Sequence, residues 1–165
     1  MTVLRNAVAI AAMICGAVTA ALASETAERL TSKEILAYPS IEAGPGTSGV
    51  SGMRTILLLG DPSKPGIYTI QIMVPPHTLI QAHRHRDDRA ATVVSGMWYI
   101  GYGPRRKDSL LKALPPGSFY TEPAGAAHFA GTKDQPAIVR ITGFGPSDTT
   151  YVDASEDPAN VSASH

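Results

Sequence analysis

From Arg54 to Phe144 the chain is cut at short intervals by turn-forming pairs and triplets: Gly60-Asp61-Pro62, Pro75-Pro76, Asp87-Asp88, Gly103-Pro104, Pro115-Pro116-Gly117, Pro123-Ala124-Gly125 and Lys133-Asp134. No helix-length stretch between them carries the apolar period of a helix with a buried face. The intervening runs have the texture of strands: Arg54–Leu59, Gly66–Val74 with its alternating branched and polar residues, Leu79–His85, Ala90–Tyr102, Leu110–Ala113, Ser118–Thr121 and Ala137–Phe144. Glycine (15) and proline (13) make up about 17% of the 165 residues, against a usual ~12%. Short strands at this spacing predict an all-β sandwich or barrel, and the length predicts one domain around one core.

The first 23 residues differ in kind. Arg5 supplies a positive start, Ala7–Ala23 is an almost unbroken Ala-rich apolar run, and Ala21-Leu22-Ala23 followed by Ser24-Glu25 has the small-x-small form of a cleavage site. This predicts a signal peptide, 1–23, removed after Ala23, and a periplasmic or secreted protein. Retention as a membrane anchor is disfavoured because the run is short and alanine is weakly apolar. Cys15 lies inside the leader, preceded by Ile14 where lipid attachment requires a small residue, so the chain from Ser24 onward has no cysteine. Disulfides, thiol nucleophiles, Cys-ligated zinc and covalently attached haem are thereby excluded.

After the leader the expected order is an N-terminal extension (24–52), a β-barrel (53–151) and a loose C-terminal tail (152–165). The extension carries one helix candidate, Ser32–Leu36, with Thr31 as cap and Glu34 completing a capping box; Ile41–Gly52 reads as a loop. With 14 basic and 14 acidic side chains the net charge is zero, and the longest basic run is Arg105-Arg106-Lys107. A general nucleic-acid binder needs a basic stripe, so none is expected, nor is membrane association once the leader is cleaved. The extension offers a segment that extends a neighbour's sheet, which predicts a homodimer.

The chemistry concentrates in histidines. His83 and His85 are one residue apart on a strand candidate, so both imidazoles project from one face; His128 follows the Pro123-Ala124-Gly125 turn. Two histidines on one strand and a third from a neighbour offer three nitrogen ligands to a divalent transition metal, with iron, manganese, nickel, copper and zinc all suited to imidazole. His77, behind Pro75-Pro76, reads as a rim or turn residue. Trp98 and Tyr99 read as core, and of Phe119 and Tyr120 one faces the interior.

Around these histidines the chain resembles the cupin superfamily, in its small single-domain bacterial form. The second cupin motif is matched without a gap by Gly117, Pro123, Gly125 and His128. In the first motif His83, His85 and Gly96 match, while His77 stands in the opening Gly position and Arg89 in the Glu position; beyond the second, Thr132 replaces a frequent Asn. The resemblance covers about residues 66–145 and implies an antiparallel cupin or jelly-roll barrel with the metal held inside by His83, His85 and His128.

Arg89 changes the expected site. A guanidinium stays protonated and cannot ligate a cation, so three protein ligands are expected, with open positions for substrate. Three neutral imidazoles, a divalent metal and Arg89 sum to about +3, which predicts a small anionic organic substrate. Arg89 either orients that anion or pairs with Asp87, Asp88 or Glu122 at the barrel mouth. Glu122 reads as a general base or, preferentially, as a solvated carboxylate. Two function classes stay open: a metalloenzyme, with dioxygenase-like or Lewis-acid lyase and isomerase variants on an anionic or enolisable compound, and a non-catalytic module that binds a small molecule or metal.

Overall fold

The computed structural model describes residues 27–161; the expected leader, with Cys15, lies outside them. Ten strands form two five-stranded antiparallel sheets. The first has the order β1 (Arg54–Leu59), β2 (Gly66–Val74), β9 (Ala137–Gly145), β4 (Arg89–Gly96), β7 (Phe119–Glu122). The second has β10 (Thr150–Tyr151), β3 (Leu79–Arg84), β8 (His128–Gly131), β5 (Trp98–Tyr102), β6 (Lys112–Leu114). The sheets face one another as a jelly roll and are not hydrogen-bonded into one closed cylinder.

Period-2 patterning builds the core. Along β9, Ala137, Val139 and Ile141 are buried and alternate with half-buried Ile138, Arg140 and Thr142. The inward residues meet Tyr68, Ile70, Ile72 and Val74 from β2, Val93 from β4 and Trp98 from β5. Each large apolar side chain so buried contributes about 1.5–3 kcal/mol.

The expected run Ala90–Tyr102 is two strands in different sheets. It breaks at Gly96, whose φ of +74° is a left-handed conformation and where a Cβ would stand 1.8 Å from the Pro136 carbonyl oxygen. Only glycine makes that crossing, and no proline or aspartate marks it, so apolar character runs on through the break. β8 is absent from the expected strands because its four residues are all buried and show no alternation. The helix α1 (Ser32–Leu36) forms with the expected capping box: Glu34 accepts from the Thr31 amide at 2.7 Å and Thr31 from the Glu34 amide at 3.3 Å. Beyond Tyr151 the chain makes a 3-10 turn at Ala154–Glu156 and a short helix, α2 (Pro158–Val161).

The 41–52 segment lies on its own chain. Ile41 bridges to Thr55 of β1, and three carbonyls are captured from below: Gly46 O by Arg89 Nη1 (3.1 Å), Thr47 O by Thr149 Oγ1 (2.7 Å) and Ser48 O by Tyr151 OH (2.6 Å). It is a strap across one end of the jelly roll.

His77 is exposed, in the turn before β3, with φ +57°. A non-glycine residue held there costs roughly 1–2 kcal/mol, partly offset by the greater chain entropy that glycine loses on folding. His77→Gly is therefore expected to stabilise the fold by up to about 1 kcal/mol, raising Tm by roughly 2–4 °C. An unchanged or lowered Tm in a calorimetric scan would show that the turn is not strained.

Candidate metal centre

Strand parity turns His83, near the end of β3, and His85, just past it, to the interior. Antiparallel pairing of β3 with β8 sets His128 directly across from His83. The Pro123-Ala124-Gly125 turn holds this arrangement. Gly125, at φ +72°, donates its amide to the His85 carbonyl at 2.8 Å and so docks the second motif onto the first. Ring centroids lie 4.4 Å (His83–His128), 5.0 Å (His83–His85) and 5.2 Å (His85–His128) apart. All three side chains are buried, and one nitrogen from each lies within 4.8 Å of the others.

The other ring nitrogens set the tautomers. His83 Nδ1 meets the Gln81 carbonyl at 2.7 Å, His85 Nδ1 the Asp148 carbonyl at 2.6 Å, and His128 Nδ1 the Ala126 carbonyl at 3.2 Å. A carbonyl only accepts, so each Nδ1 carries the proton and each Nε2 presents a lone pair. Burial, with a smaller contribution from His128, pushes the His83 pKa down to about 4; burial, then Arg89, pushes that of His85 down to about 2. Both are neutral at physiological pH.

Glu122 departs from the expectation of a solvated carboxylate. It is 4% exposed, because β7 turns Tyr120 and Glu122 inward and Phe119 and Thr121 outward. Its Oε2 lies 3.6 Å from His85 Nε2 and 3.7 Å from His128 Nε2. Burial raises its pKa, but the adjacent Arg89 guanidinium outweighs this and holds it at about 2, so the carboxylate is ionised.

Arg89 is opposite Glu122 in the β4–β7 ladder, with Nε 3.0 Å from Oε2. Of the three partners expected for Arg89, the structure selects Glu122, and the pair is buried inside, away from the barrel mouth. Asp87 instead accepts from Tyr68 OH and Ser147 Oγ, both at 2.7 Å, and Asp88 accepts from the Ala124 amide at 2.9 Å. The carboxylate missing from the first motif's Glu position is thus present one strand away. It cancels the Arg89 charge, so the expected excess of about +3 falls to about +2 with a divalent ion.

The donor set fits a metal. One nitrogen from each of the three histidines lies within 4.8 Å of the others, and the Glu122 carboxylate oxygen stands beside two of them, His85 and His128; acceptors do not hydrogen-bond to one another. Among the described residues, His128 Nε2 and Glu122 Oε2 have no hydrogen-bond partner; the contact from Arg89 is close but misaligned for one. Donor atoms sharing one ion at about 2.0–2.1 Å stand roughly 3–4 Å apart, the range of the Glu122–His85 and Glu122–His128 separations, while the histidine nitrogens lie within 4.8 Å of one another.

The cavity beside the four groups has a volume of about 30 Å³. Gly46, Thr47 and Ser48 of the strap line it, together with apolar Met53, Ile72 and Ile141. Sequence reasoning missed the strap, which read only as a loop, and the Asp148 carbonyl that orients His85. It favoured the core over a cavity-facing place for Trp98; Trp98 is core and lines the cavity as well. Tyr120 is the inward member of its pair, while Tyr99 faces outward beneath Lys133, whose Nζ is 4.8 Å from its ring centre. His77, on the surface 4.0 Å from Asp134, is far from this chemistry in role.

No protein-family model and no curated protein matches the chain. Among solved structures it is similar to the polyketide cyclase RemF from Streptomyces resistomycificus, at 17% identity over 84% of this chain and 94% of that one, with a TM-score of 0.64. It is also similar to an RmlC-like cupin from Shewanella frigidimarina (16% identity, 72% and 91% covered, TM-score 0.51). A third is the DMSP lyase DddQ from Ruegeria pomeroyi (15% identity, 67% and 57% covered, TM-score 0.52). At these identities the likeness establishes the fold.

Proposed function

We propose that this chain, which has the cupin fold, is a metalloenzyme that holds a divalent transition metal on His83, His85, His128 and Glu122 and acts on a small oxygen-bearing organic compound by Lewis-acid chemistry. The observation that carries this reading is the meeting of three buried imidazole nitrogens, each free to accept because its Nδ1 is held by a carbonyl, beside the ionised Glu122. A fold tolerates that arrangement poorly unless a cation sits between them.

Each residue has a distinct task. The Nδ1–H bonds to backbone carbonyls hold the imidazoles in the ligating tautomer and keep their rings from turning. Glu122 adds a negative charge and a hard oxygen donor. Arg89 keeps Glu122 ionised and aimed inward, and its second contact, to Gly46 O, ties the centre to the strap. It is a positioning residue, its guanidinium already engaged by the protein. The strap and the apolar lining exclude bulk water. A metal held there would supply Lewis-acid polarisation of a carbonyl or carboxylate oxygen, which acidifies the adjacent C–H. Structural neighbours named as a cyclase and a lyase support a reaction of this non-redox class, as analogy of fold.

The test is metal content of the purified chain, followed by turnover of a panel of small keto and hydroxy acids with oxygen uptake recorded. About one metal per chain, with turnover that needs it and consumes no O₂, is the expected result. Turnover coupled to O₂ uptake would move the chemistry to the dioxygenase class. Stoichiometric metal without turnover would leave a binding module, and absence of metal would sink the proposal. The expected leader adds a periplasmic or secreted location, checked by N-terminal sequencing of the exported protein, which should begin at Ser24.

A further inference from the structure

Two further polar groups line the same cavity with nothing to bond. Tyr120 OH and Trp98 Nε1 have no hydrogen-bond partner among the described residues, although the side chains are only 6% and 2% exposed. They come from opposite sheets: Trp98 from β5, in the sheet of the histidines, and Tyr120 from β7, two residues before Glu122 and so on the same face. Trp98 and Glu122 flank the Tyr120 hydroxyl, yet neither reaches it with hydrogen-bond geometry. A phenol hydroxyl carries a proton to donate. Indole N–H is a donor only. Unpaired buried donors are costly, and each such group in a native fold calls for a missing partner.

We infer that Tyr120 and Trp98 form a two-donor cradle for one oxygen of the substrate, and that the site takes a short-chain carboxylate or its enolate. The inference rests on the proposed metal centre only for the placement of the substrate's other polar end. Every unengaged polar group of the cradle asks for an acceptor, which fits a carboxylate or enolate oxygen and excludes an ammonium. The apolar lining accommodates a short carbon skeleton. At about 30 Å³ the cavity has room for roughly two water-sized groups, which restricts the ligand to the smallest carboxylates, with acetate as the probe.

Trp98 is the only tryptophan of the chain, so its emission reports on this cavity alone. Wild-type protein, Tyr120→Phe and Trp98→Phe are loaded with Co²⁺ and titrated with acetate, followed by the cobalt absorption bands and, where Trp98 is present, by its fluorescence. We expect equal cobalt loading in all three, an emission shift on acetate binding to the wild type, and acetate affinity lowered about tenfold or more in each variant, the loss of a hydrogen bond to a charged group. Tyr120→Phe should melt no lower than the wild type, because the hydroxyl it removes has no bond to lose; a purely structural hydroxyl would lower Tm. Equal acetate affinity in cobalt-loaded wild type and Tyr120→Phe overturns the cradle while leaving the metal centre standing. Failure of the wild type to load cobalt overturns the metal centre. In that case the cradle stands if acetate still shifts Trp98 emission with about tenfold weaker response in Tyr120→Phe, and falls if no shift occurs.

Discussion

Replacing His128 by alanine is expected to weaken metal binding by more than about a hundredfold, the upper end of what removing an outer-shell partner of a metal ligand costs. His128 is among the most deeply buried side chains. It is also the only one of the three histidines contributed by β8, so no neighbouring residue substitutes for its Nε2. The readout is competition with a chromogenic chelator at fixed pH, because ligand protonation alone changes metal affinity. His77→Ala serves as the contrast: the same imidazole is lost from an exposed turn, and affinity should not change. A urea transition with an unchanged slope shows that the variant still folds. Wild-type affinity in His128→Ala would mean that the three rings do not share an ion.

The second large effect concerns Arg89. In metal-free protein, Arg89→Met removes the guanidinium that faces a carboxylate only 4% exposed. An uncompensated buried charge of this kind costs about 3–5 kcal/mol. The double variant Arg89→Met, Glu122→Gln should recover most of that loss, since neutralising both partners removes the unpaired charge. Metal should also rescue the single variant, because a cation takes over as counter-charge to Glu122, and bound metal stabilises the folded state by mass action. Urea denaturation of the wild type and the variants, with and without Co²⁺, measures all of this. If Arg89→Met costs no more than an ordinary surface substitution, or if cobalt stabilises it no more than it stabilises the wild type, then Glu122 is not facing a metal.

Both experiments turn on a feature only half legible in the sequence. The histidines could be found because their spacing carries local geometry: alternate residues on a strand share a face, and proline and glycine ahead of His128 announce a turn. The substitution of Arg89 at a carboxylate position was equally visible, but the replacement carboxylate was not. Glu122 directly precedes a proline at a turn, where acids are normally solvated, and nothing local distinguishes it. Its burial depends on β7 lying against β4 in one particular register, with Arg89 and Glu122 as Cα partners. A shift of one residue would have turned Glu122 outward and Thr121 inward.

The same distinction separates the rest of the fold. The positions of β1, β2 and β9, the capping box of α1 and the turn ahead of His128 follow from periodicity and turn chemistry, which act over a few residues, and the chain alone determined them. The division of Ala90–Tyr102 between two sheets, the strap at Gly46–Ser48 and the meeting of Tyr120 with Trp98 belong to contacts between distant segments. Their energies come from burial and long-range pairing, which no window of sequence contains, so the tertiary structure alone decided them.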